Sequence, residues 1–332
     1  MTWFRALMGF TETSPADVRK NIVIDGDRMK SRVNGREVTY GHFETVSLSE
    51  LRTSLADLIE ERGQIRVSEV VAGVQELHCD PKNAGSLFQV ASQFNTLEMI
   101  SPSVVPEEGV GIYENDNTQG PACAIAAGAG TIFRNYFAPV NGAIGQSTEN
   151  QIDCLMDLGK ALGNTNQGLW AMRNGYLQPS KQGLQKIATQ IGSMSEQDKD
   201  VLRGHLSVGI QRNTQVTMGD CQHTVSQVYG SALPVAYFPH TDDLWAPFAK
   251  LVLEASYEAT LCAAVLNRMV TKQNRVFLTL LGGGAFGNRA DWILAALERT
   301  LIMFKHRDLD VSIVSYMSTN RGVKDLVDRY RG

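Results

Sequence analysis

The sequence predicts an α/β fold, a sheet covered by helices on both faces, and three observations lead there. Short β-prone runs alternate with helical periodicities from residue 65 onward. A strand, a glycine-rich turn and a helix follow one another between Arg275 and Phe304. Hydrophobic residues fill 43% of 332 positions, enough to bury one large core or two modest ones.

In chain order, residues 1–10 are briefly apolar but are interrupted by Arg5 and followed by Thr11, Glu12 and Thr13. That is too short for a secretory core or a membrane span and reads as a capping segment. Helical spacing begins at Ser47–Arg62, where Leu51, Leu55, Leu58 and Ile59 recur, so residues 1–64 are expected to form an N-terminal extension to a domain of residues 65–332. Strands are expected at Arg66–Val74, Ser86–Ala91, His205–Val216, Thr224–Gly230 with Val235–Phe238, Arg275–Leu281 and Asp310–Tyr316. Between them, Cys154–Leu162 and Lys181–Met194 read as surface helices around a Gly, Asn and Gln-rich loop at residues 163–168. A long helix spans Asp242–Asn267 behind Thr241 or Asp242 as N-cap, and another runs from Arg289 or Ala290 to Phe304.

With 31 basic and 35 acidic residues, the formal charge of −4 offers no surplus for a phosphate backbone, and no nucleic-acid partner is expected. The apolar stretches near Leu251–Val270 and Trp292–Phe304 carry charges that a bilayer centre would penalise, so no membrane partner is expected either. Five scattered cysteines without a CxxC pair suit a reducing, cytoplasmic setting. No GxSxG, HExxH or paired CxxC motif occurs, and neither a metal nor a cofactor is expected.

Chemistry concentrates in three segments. The first is Gly282-Gly283-Gly284-Ala285-Phe286-Gly287-Asn288, between a strand and a helix start. Free backbone N–H groups and missing side chains there would let a pyrophosphate approach. Gly282, Gly284 and Gly287 also satisfy GxGxxG, yet too little chain follows to complete a dinucleotide fold. The second is the strand end Gln93-Phe94-Asn95-Thr96-Leu97-Glu98, whose amides suit sugar hydroxyls because one side chain both donates and accepts. The third is the acidic loop containing Glu107, Glu108 and Asp116, followed by Thr118, Gln119 and Gly120 before a small-residue run.

Taken together, Gln93-Phe94-Asn95 and Gly284-Ala285-Phe286-Gly287-Asn288 resemble the macrodomain family, and the glycine loop is similar to that of the poly(ADP-ribose) glycohydrolase branch. Adding the run from Asp116 to Ala122 and the run from Tyr229 to Tyr237, the pattern resembles arginine-specific ADP-ribosyl hydrolases related to the bacterial effector MavL. The resemblance covers residues 65–320 and implies a three-layer α/β/α sandwich with a mixed central sheet, binding ADP-ribose or an ADP-ribosylated protein. It implies a ribose contact for Asn95, with Gln93 beside it, and diphosphate contacts for Gly283 to Asn288. The Gln-Glu-Glu stretch of the glycohydrolase signature is absent, which points to the acids of the loop instead. Asp116 is then expected at the reacting ribose and water, Glu98 at ribose hydroxyls or the leaving guanidinium, and Glu107 or Glu108 in support. A reader that binds without turnover, or a hydrolase of a free ADP-ribose derivative, would share these features.

Overall fold

A computed structural model of the chain describes residues 2–56 and 63–330. The chain opens with helices α1 (Trp3–Met8) and α2 (Pro15–Asn21) and an antiparallel meander of β1 (Ile22–Asp25), β2 (Arg28–Ser31) and β3 (Glu37–Thr39). Next come β4 (His42–Ser47), α3 (Leu48–Ala56), β5 (Arg66–Val71), α4 (Val74–Cys79) and β6 (Leu87–Ala91). Helices α5 (Gln119–Ala126) and α6 (Gly128–Tyr136) precede the short pair β7 (Pro139–Val140) and β8 (Ala143–Ile144), then α7 (Met156–Leu162). A hairpin of β9 (Trp170–Arg173) and β10 (Tyr176–Pro179) leads to α8 (Lys181–Ser193) and α9 (Glu196–Gly204). The chain continues through β11 (Ser207–Gln215), β12 (Thr224–Gly230), α10 (Asp242–Thr271), β13 (Arg275–Leu278), α11 (Ala290–Met303), β14 (Asp310–Ser315) and α12 (Arg321–Asp328).

Seven strands form one sheet in the order β4-β11-β12-β6-β13-β14-β5. The pairs from β12 through to β5 are parallel and the two at the β4 edge are antiparallel, so the sheet is mixed. Strand β6 alternates across it. Leu87 joins the core beneath α10 and Gln89 donates to Thr260 of α10 at 3.0 Å, while Val90 packs with Cys123 of α5 on the opposite face. This is the three-layer α/β/α arrangement that the sequence predicts. Helix α10 is buried almost all round from Leu251 to Val265, which explains its near-continuous apolar composition. Asp242 and Asp243 favour its first turn, and Lys272 in the left-handed region ends it.

The boundary expected at residue 65 does not divide the fold. Strand β4 pairs with β11 from Ser47↔Ser207 to His42↔Arg212, so residues 42–47 are a sheet edge and not an extension. The segment Val235–Tyr237 is a single 3-10 turn, because Pro234 and its contacts with the glycine loop take it out of the sheet. The hairpin β9–β10 stands where a loop and surface helices were expected, and residues 57–62 of the expected Ser47–Arg62 helix lie outside the described residues.

Candidate active site

The parallel strands β6, β12 and β13 place their carboxyl ends on one side of the sheet, where a cleft of about 500 Å³ opens. Its walls are the turn after β6, the start of α5, Ala232 after β12 and the glycine loop after β13.

The start of α5 is drawn tightly onto β6. A Cβ at Gly120 would lie 1.9 Å from the Ala91 carbonyl oxygen, so only glycine permits the approach. Gln119 secures it, accepting from Ala91 N at 2.8 Å and donating to the Gln89 carbonyl at 2.8 Å. Both ends of that amide are therefore engaged by the scaffold. Thr118, the N-cap residue, is exposed at the rim. Asp116 lines the cleft half-buried, and its Oδ1 accepts from Thr118 N at 2.8 Å. Its Oδ2 makes no hydrogen bond among the described residues.

In the turn after β6, Gln93 lines the cleft while its Oε1 accepts from Met99 N at 2.8 Å. Asn95 is buried away from the cleft, accepting from Leu97 N and donating to Gln151 Oε1 at 2.8 Å. Thr96 sits at φ +64°, a conformation costly for a β-branched residue. Arg134 of α6 holds that turn by donating from Nε to the Thr96 carbonyl at 2.9 Å. The same guanidinium donates from Nη2 to both Glu98 oxygens at 3.0 and 3.1 Å and stacks on the Tyr229 ring. Neither side chain of the Glu98–Arg134 pair has solvent exposure. Burial pushes the Glu98 carboxyl up, to about 7, with Arg134 pulling against it.

Glu107 and Glu108 stand apart from the cleft. Glu107 accepts from Thr148 N and Oγ1, and Glu108 accepts from Val105 N at 3.1 Å, so both carboxylates close loops. The acidic loop itself rests on the N-terminal segment. Glu12 accepts from Val110 N and Gly111 N, and Trp3 donates to Glu114 and to the Val110 carbonyl.

The glycine loop is clamped to residues 232–236. Gly282 and Gly287 have φ near +75° and +68°, and a Cβ on either would collide with Ala232 or Ala236. Asn288 is buried, donating to the Leu233 carbonyl at 2.8 Å, and acts as the loop's clasp. Gly282, Gly284, Ala285 and Phe286 line the cleft, whereas Gly287 and Asn288 do not. At Gly284, which lines the cleft, a Cβ would meet nothing within 4 Å, so the space beside it is open. Gly283 faces a second cavity of about 400 Å³ at the ends of β13 and β14, which shares Thr279, Leu280 and Gly284 with the first. The loop is thus the partition between two cavities.

Sequence reasoning reached Phe286 but missed the aromatic wall to which it belongs. Tyr176, Tyr237 and Phe286 pack with ring centroids 5.4 to 5.7 Å apart at the cleft, and the Tyr176 hydroxyl donates to the Met99 carbonyl. Tyr176 belongs to the unexpected hairpin, and only a Gly at a tight turn, Asn174-Gly175, could have signalled it. Among the described residues no cluster of three His, Cys, Asp or Glu side chains could hold a metal ion.

No family model and no curated protein sequence matches the chain. Among solved structures, the poly(ADP-ribose) glycohydrolase of Deinococcus radiodurans in complex with ADP-ribose is similar over 87% of this chain and 93% of that one, at 12% identity and a TM-score of 0.45. The glycohydrolase of Thermomonospora curvata bound to the inhibitor ADP-HPD is similar over 95% and 97%, at 11% identity and a TM-score of 0.46. Likeness at this level carries no argument about activity.

Proposed function

We propose that this protein is an ADP-ribosyl hydrolase that releases ADP-ribose from arginine side chains of modified proteins. The observation that carries the reading is the glycine loop standing between two cavities, with the start of α5 across the larger one. A ligand with a bulky group at each end and a diphosphate between them matches that layout, since exposed backbone at Gly284 suits phosphate oxygens and each cavity takes one end. ADP-ribose has this form, and the sequence resemblance to macrodomains points the same way.

Breaking the N-glycosidic bond to a guanidinium passes through an oxocarbenium-like state, and Asp116 is the carboxylate whose second oxygen is available for it. Asp116 would orient a water, take its proton as oxygen bonds to the ribose C1 and offset positive charge on the ring. The departing nitrogen keeps the bonding electrons and leaves as neutral guanidine, and the proton taken by Asp116 then passes to it, releasing arginine as guanidinium and restoring the carboxylate. Glu98 also lines the cleft, but its side chain is without solvent exposure and Arg134 holds both its oxygens, so in this reading it supports the turn and not the substrate.

Calorimetry with ADP-ribose, followed by turnover of arginine-, serine- and glutamate-linked conjugates, tests the proposal. Binding with preferential release from arginine is expected. A folded sample that does not bind ADP-ribose would refute the reading. The rival reading, a binder without turnover, draws support from the cleft presenting one available carboxylate where glycosidases use two. Tight binding with no release from any conjugate would establish it.

A further inference from the structure

Two of the five cysteines, separated by 142 residues in sequence, come together on the face behind α5. Cys79 ends α4, and Cys221 lies in the turn between β11 and β12. The Cys221 thiol is 3.7 Å from the Cys79 carbonyl oxygen and the Cys79 thiol is 3.9 Å from the Met218 carbonyl oxygen, so each thiol lies against the other's segment. Both are half-buried, whereas Cys123, Cys154 and Cys262 are buried. The turn is also pinned to α4 by His223, whose Nε2 donates to the His78 carbonyl at 2.8 Å, and to the α5–α6 junction by Thr217 N on the Ala126 carbonyl.

From this geometry we propose that Cys79 and Cys221 are a modification site, a dithiol that small-molecule disulfides such as oxidised glutathione convert reversibly to an intramolecular disulfide. Burial and the neighbouring thiol push Cys79 up, to about 11, which makes Cys221 the first nucleophile and Cys79 the resolving one. Cys221 thiolate attacks one sulfur of oxidised glutathione, forming a mixed disulfide and expelling one glutathione thiolate. Cys79 thiolate then attacks the Cys221 sulfur, forming the protein disulfide and expelling the second. Two protein thiols are oxidised, one glutathione disulfide is reduced, and the two thiol protons end on the two glutathiones. The bond would staple α4 to the β11–β12 turn, and α4 already touches α5 through Gln75 Nε2 on the Ala122 carbonyl. Closing so long a loop restricts the unfolded chain and raises stability.

The test is incubation of the full chain with oxidised glutathione, followed by thiol titration in denaturant, peptide mapping without reductant and thermal melting. Thiols are expected to fall from five to three, with a cross-linked peptide pair carrying Cys79 and Cys221. The melting temperature should rise by several degrees and return on treatment with dithiothreitol. Cys79→Ser should stop at glutathione retained on Cys221, and Cys221→Ser should leave Cys79 slow to react. An unchanged thiol count in folded protein, glutathione retained on the wild type, or cross-links through the three buried cysteines would each overturn the proposal. None of these readouts depends on ADP-ribose chemistry.

Discussion

At the scale of single residues, the site divides between side chains that face the cleft and side chains that hold those in place. Asp116→Asn keeps shape but loses charge and basicity, and should cut release of ADP-ribose by about a hundredfold or more with a much smaller change in affinity. Parallel turnover and calorimetry measure both, and an unchanged rate would make Asp116 a turn residue. Gly284→Val should weaken ADP-ribose binding with the fold preserved, because its φ is ordinary and its Cβ direction is empty in the free protein; a titration beside circular dichroism checks this. For Glu98 the expectation is a pH signature. Its folded carboxyl is raised toward 7 from an ordinary 4.5, so the native state holds a proton that the unfolded chain releases. That contribution to stability is complete below about pH 4.5 and lost as pH rises through about 7. Glu98→Gln, close in shape to the protonated acid, should remove this slope. Denaturant melts of both proteins across that window decide it, and equal slopes would count against the raised value. The acids were legible in the sequence as a cluster, but their partners were not: Arg134 of α6 engages Glu98, and Thr148 engages Glu107 from a distant loop.

Elements show a similar split between what local pattern reveals and what tertiary contact decides. The strands β6, β12, β13 and β14 and helices α10 and α11 were legible because long apolar runs and caps carry their own signal. The hairpin β9–β10 was overlooked, since its strands are four residues each and the Asn174-Gly175 turn was its one local signal. So was the service of the first helix region to the acidic loop, which rests on one carboxylate. Glu12 accepts from Val110 N and Gly111 N and from the Tyr136 hydroxyl at 2.6 Å, so three donors converge on it. Glu12→Ala should leave those donors unsatisfied, destabilise the protein by about 2 kcal/mol and loosen the loop that ends at Asp116. Hydrogen exchange at residues 110–116 should quicken more than exchange in β6 or β13. Uniform quickening would instead assign Glu12 to global stability.

For the whole molecule, the order of strands in the central sheet has a consequence in time. Strands β4 and β5 follow each other in the chain yet occupy opposite edges, separated by six strand spacings or roughly 29 Å. Each is held by a partner synthesised far later, β4 by β11 and β5 by β14. A chain emerging from the ribosome therefore carries two early strands with open edges until residues 215 and 315 have appeared, and such distant pairing makes folding slow. Ending the chain at residue 309 should leave β5 without its partner and β13 with one open edge, and yield insoluble protein, whereas a soluble, folded product of that length would show that β5 needs no partner. The edge of β5 thus stays open long after its own synthesis, and that interval is when this protein is most exposed to aggregation.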